Sequence, residues 1–143
     1  MHEYRKILLV VDLTEDSDVV GERAKAIAAC YQSTIQLLHV VEYVPVEPMG
    51  ETLLPSVQIE EELIERARVR LKELAGSLGL GGSECFVEAG NIKAEIIRVA
   101  QEQKVNLIVL GSRERHGLAI LLNFTEDTVL HASPCDVLAV RLH

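Results

Sequence analysis

Aromatic side chains are nearly missing: there is no Trp, and Phe, Trp and Tyr together make up only 3% of the chain. The core must therefore be built from Leu, Val, Ile and Ala. Cationic residues are also short, with Lys+Arg 14 against Asp+Glu 22 and a formal net charge of −8. That balance excludes the cationic footprint a nucleic-acid binder needs. It equally opposes docking on anionic membrane. Cysteine is sparse, at positions 30, 85 and 135, with no C-x-x-C pair, which argues against a zinc or thioredoxin-type site. Cys30 and Cys135 lie in apolar stretches and are expected to pack as small hydrophobes. No apolar run approaches the ~20 residues of a membrane span. Met1 to Lys6 runs straight into an apolar strand, with none of the features of a secretory leader. The expectation is one cytoplasmic domain spanning 1–143.

What is present is a regular alternation. Ile7 to Val11 is a continuous apolar run, as expected of a strand buried on both faces. Val20, Ala24, Ile27, Ala28 and Tyr31 then recur at helical spacing, after Thr14 or Asp16 as a cap. Thr34 to Val41 repeats the strand pattern. Residues 42–56 hold Pro45, Pro48, Gly50 and Pro55 and read as a loop. Ile64, Ala67, Leu71, Leu74 and Leu78 mark one face of a helix over 57–78, which a glycine cluster ends. Cys85 to Glu88 reads as a third strand, and Asn91 caps a helix carrying Ile92, Ile96, Val99 and Ala100. Asn106 to Leu110 is a fourth strand stopped by Gly111. A helix over 117–132 and a strand from Asp136 to Leu142 close the chain. This order implies an α/β fold: a doubly wound, five-stranded parallel sheet, Rossmann-like, with helices on both faces.

In such a sheet ligands bind beyond the carboxyl ends of the strands. Asp12 ends the first strand there. Its carboxylate can accept from a ribose or base, or it can bond its own backbone in a turn. Thr14 stands where a D-x-D-x-T phosphotransfer motif needs a second Asp, which disfavours that chemistry. His39, at the end of an apolar strand, reads as packed and hydrogen-bonded rather than catalytic. The Gly111 to Gly117 loop offers backbone N–H groups with Arg113 and Arg115 as a phosphate cradle, or is simply a solvated loop. No G-x-x-x-x-G-K-[ST] or G-x-G-x-x-G occurs.

Four segments, Ile7 to Thr14, Leu37 to Val41, Asn106 to Ser112 and Ala132 to Arg141, resemble in order the successive signatures of universal stress proteins. The resemblance covers the whole chain. It implies a homodimeric stress-response regulator without catalysis, pairing through the last strand at Val137, Leu138, Ala139, Val140 and Arg141. Part of that family binds ATP through G-x-x-G, about nine residues, then G-[S/T]; the universal stress protein A type lacks this signature. Here Gly111 and Ser112 remain, but Glu114 replaces a glycine and Asn123-Phe124 replace Gly-[S/T]. A negative charge about 4 Å from a phosphate charge, at an effective dielectric near 20, repels by roughly 4 kcal/mol. By resemblance Asp12 and Val41 match the ribose- and base-holding positions. No cofactor is required by the residues. Weak or absent ATP binding is the expectation, beside unidentified protein partners; AMP or adenosine, with less negative charge, stays open as a ligand, and the alternative is an ATP- or AMP-binding sensor of the same family with slow ATP hydrolysis.

Overall fold

A computed structural model describes residues 3–42, 53–113 and 131–142, with side chains for all of these except 53–59 and 113. The elements run β1 (Lys6–Val10), α1 (Ser17–Tyr31), β2 (Thr34–Glu42), α2 (Leu53–Ser77), β3 (Cys85–Gly90), α3 (Ile92–Gln103), β4 (Leu107–Arg113) and β5 (Asp136–Leu142). All strand pairs are parallel, in the order β3-β2-β1-β4-β5. The chain winds outward from β1 to β3, then returns to place β4 on the other side of β1. The doubly wound sheet expected from the alternation is therefore present, and its switch point lies between β1 and β4.

The continuous apolar runs are explained by burial on two faces. Ile7, Leu9, Leu37, Leu107 and Val109 pack with α1 and α2, while Leu8, Leu38, Val40, Ile108 and Leu110 pack with α3. Each fully buried Leu or Ile contributes about 1.5–3 kcal/mol relative to an exposed one. The helices start and stop as local chemistry dictates. Asn91 accepts from the Ala94 N–H at 3.0 Å. Asp16 caps α1 by position, without a side-chain cap bond. Gln32 and Lys104 end α1 and α3 in left-handed conformations. Gly79 does the same beyond α2, where the Leu80 N–H reaches back to Ala75 O at 2.7 Å.

Several boundaries differ from the sequence reading. Of the expected 42–56 loop, Glu42 belongs to β2 and 53–56 to α2, and 43–52 lie outside the described residues. Pro55 falls in the first turn of α2, where a missing N–H costs nothing. The third strand continues to Gly90. Gly111 does not stop β4: it pairs with Val140 inside the sheet, and β4 continues to Arg113. Cys30 is exposed, not packed, because the helical period turns it away from Ala24 and Ala28. Of the expected 117–132 helix only His131 and Ala132 are described, and both are helical.

Candidate functional site

At the switch point the carboxyl ends of β1, β2 and β4 surround a cavity of about 150 Å³. Its walls are apolar, from Val10, Val20, Val40, Ile92, Ile96 and Leu110. Its polar groups come from Asp12, Ser17 and His39.

Asp12 sits where β1 leaves the sheet. Its Oδ1 accepts three bonds: from the Thr14 N–H at 3.0 Å, the Thr14 hydroxyl at 2.7 Å and the Ser17 hydroxyl at 3.3 Å. The turn reading is thus correct for one oxygen. Those bonds leave Oδ2 without a partner among the described residues, so the carboxylate can still accept from a ligand hydroxyl. Leu13 follows with φ 61, a left-handed conformation that costs a non-glycine residue about 1–2 kcal/mol. The turn is held from outside: Leu13 is buried, and its carbonyl accepts from the Arg70 guanidinium of α2.

His39 is half-buried, and its Nδ1 lies 2.8 Å from the Val11 carbonyl. A carbonyl only accepts, so Nδ1 carries the proton and Nε2 is bare. Burial lowers the imidazole pKa, and Arg70 adds to this, against the opposing effects of the Val11 bond and Asp12. The ring is neutral at physiological pH. The packed reading of His39 agrees with this geometry.

The strand ladder exposes a main-chain pair that the sequence reading missed. The Val11 N–H donates to Leu38 O at 3.0 Å, and among the described residues no backbone bond carries the β1–β2 ladder further. Alternate residues of a parallel strand direct both peptide groups to the same neighbour. Val40 therefore faces the side that β1 has left, and its side chain lines the cavity. Val41, the position the resemblance implied, is turned the other way. Its side chain packs against the α1/α2 core, and it pairs with Ala89 of β3. Counting strand parity from Leu38 would have found Val40.

Gly111 lines the same cavity. A Cβ there would lie 2.8 Å from Leu142 Cδ1 and 3.1 Å from Val20 Cγ2, so the glycine permits close approach of α1 and β5. Ser112 and Arg113 pair with Arg141 and Leu142 as part of the sheet. Glu114, Arg115, Asn123 and Phe124 lie outside the described residues, so the phosphate-cradle reading has no geometry to meet. On β5, Val137 and Leu138 are half-buried, Ala139 and Arg141 are exposed, and Val140 is buried. Among the described residues no group of three His, Cys, Asp or Glu side chains is placed to hold a metal. No described helix is long and apolar enough to cross a membrane.

A family model described as the universal stress protein family matches residues 3–141. The chain belongs to the universal stress protein family. Two Coxiella burnetii relatives, universal stress protein A homologs 2 and 1, are each 36% identical, over 99% and 98% of this chain and 98% and 97% of their own lengths. The structure of protein MJ0577 superposes with a TM-score of 0.79 at 22% identity, covering 99% of this chain and 98% of that one. A universal stress protein solved in complex with cAMP superposes with a TM-score of 0.63 at 21% identity, covering 96% and 97%. These structural likenesses establish that the sheet of this universal stress protein is the family fold.

Proposed function

We propose that this universal stress protein is a non-catalytic, homodimeric cytoplasmic regulator whose switch-point crevice takes an adenine nucleoside or nucleotide of low charge, of the AMP class. The observation that carries the reading is the Val40 peptide facing an apolar cavity of about 150 Å³ with the Asp12 carboxylate at its mouth. A flat base fits apolar walls, and a backbone N–H beside a C=O complements the N1 and N6 edge of adenine. The Asp12 Oδ2 is suited to a ribose hydroxyl. A main-chain donor and acceptor left without partners cost about 1–3 kcal/mol each, which a ligand offsets. The cAMP complex of a relative with this fold is in keeping with an adenine ligand of lower charge than ATP.

Triphosphate is disfavoured by charge. The chain carries a net −8, and Glu114 stands where the ATP-binding signature has glycine. Catalysis has little support: His39 is committed to Val11, and burial raises the Cys85 and Cys135 thiols, which keeps them protonated and weakly nucleophilic. Three free cysteines suit a reducing compartment.

Titration calorimetry on nucleotide-stripped protein tests the reading. AMP is expected to bind in the micromolar range, with Mg-ATP at least ~10-fold weaker and unhydrolysed. Asp12→Asn should weaken AMP by about 1.5–3 kcal/mol, the range for a hydrogen bond to a charged group. Absence of heat with AMP removes the ligand assignment, and tight Mg-ATP binding with turnover removes the non-catalytic one.

A further inference from the structure

The β1–β2 ladder ends at Val11, and a side chain stands where its next rung would form. Continuing the pattern of Val11 N–H to Leu38 O, the next rung would join the Val40 N–H to Val11 O and the Leu13 N–H to Val40 O. The first rung is not formed among the described residues: the Val11 carbonyl accepts from the His39 imidazole Nδ1–H instead, at 2.8 Å. The second rung is lost because Leu13, at φ 61, turns the chain out of the sheet. That turn is pinned on both sides, by Asp12 Oδ1 on the Thr14 N–H and by the Arg70 guanidinium on Leu13 O. The result is a peptide group on the cavity wall that the sheet does not use, although Val40 itself is only 7% exposed.

We infer that His39 is a positioning residue: its Nδ1–H takes the Val11 carbonyl, halts the ladder one rung early, and keeps the Val40 N–H and C=O free to read the base edge of the ligand. This rests on the adenine-class reading above for the ligand, but not for the ladder. His39 acts through Val40 and touches no reacting atom. The donor requirement is specific. An Asn amide reaches from Cβ about as far as the imidazole Nδ1, so His39→Asn preserves the bond, whereas His39→Leu removes it and leaves Val11 O open to the Val40 N–H.

Two readouts separate this role from simple packing. In ligand-free wild-type protein, the Val40 amide should exchange with solvent at least ~10-fold faster than those of Leu38 and Val41. His39→Asn should retain that pattern, and His39→Leu should slow Val40 to the rate of its neighbours. In binding, wild type and His39→Asn should prefer AMP over IMP by ~10-fold or more, because IMP reverses the donor and acceptor pattern at N1 and position 6. His39→Leu should bring the two within ~2-fold. A Val40 amide as protected as Leu38 in the wild type overturns the assignment without any variant, even where AMP binds. Fast Val40 exchange that His39→Leu closes, in a protein that binds neither nucleotide, upholds the role of His39 in the ladder and overturns the ligand reading instead.

Discussion

His39 links the strand, the turn and the cavity through one hydrogen bond, and that bond has a consequence for stability. Its pKa is depressed in the folded protein by burial, so the unfolded chain binds the proton more readily. The stabilisation is complete above the unfolded value near 6.5 and is lost as pH falls from there toward the lower folded pKa. We expect the melting temperature to be flat above about pH 7 and to fall below about pH 6.5, with part of that slope absent in His39→Asn. Equal slopes in wild type and variant would show that another group is responsible. The packed character of His39 was legible in the sequence, because an apolar strand surrounds it. Its partner was not, because Val11 and His39 meet only through the register of two strands. The same limit applies to Val41 and Val40: residue type could not say which of two adjacent valines directs its peptide toward the side that β1 has left, and only ladder parity could. Cys30 was misplaced for a related reason, since its alanine neighbours are apolar but the helical phase turns it outward.

Among the elements, glycine carries the information most easily misread. A glycine reads equally as a stop, a turn or a close contact, and Gly111 proved to be the last, beneath Val20 and Leu142. Gly21 of α1 is a second such contact: an added Cβ would lie 2.5 Å from Leu78 Cδ1 and 3.0 Å from Cδ2. Leu78 is only 3% exposed and cannot swing into solvent. Gly21→Ala should therefore destabilise despite the helix propensity of alanine, by about 1 kcal/mol or more. Gly76 of α2 is exposed with nothing within 4 Å of its added Cβ, so Gly76→Ala should stabilise by about 0.5–1 kcal/mol. Urea unfolding of the two variants is the check; a gain from both would mean that α1 and α2 do not pack as closely as described. The strands themselves were legible because burial on both faces leaves an apolar run with no polar interruption. The opening of α2 was not, since a proline in a first helical turn and a proline in a loop look alike in sequence.

At the scale of the molecule, alternation of strands and helices was enough to give the parallel sheet and its switch point, and so the location of the crevice. It could not say which side of β2 faces that crevice. The proposed assembly is tested at the sheet edge. β5 pairs with β4 on one side, no described strand pairs with its other edge, and the proposed dimer places a second copy there, beside the half-buried Val137 and Leu138. Size-exclusion chromatography with light scattering should give twice the 15.8 kDa chain mass at micromolar concentration, and a monomer would remove the proposed interface. The central claim, that an adenine ligand of low charge sits in the β1–β4 crevice, is tested most directly by an NMR titration of the labelled protein with AMP. The account predicts saturable shifts concentrated at the amides of Asp12 to Thr14, Val40 and Gly111, with Val40 the most affected. Shifts confined to other surfaces, or no shifts at millimolar AMP, would contradict it.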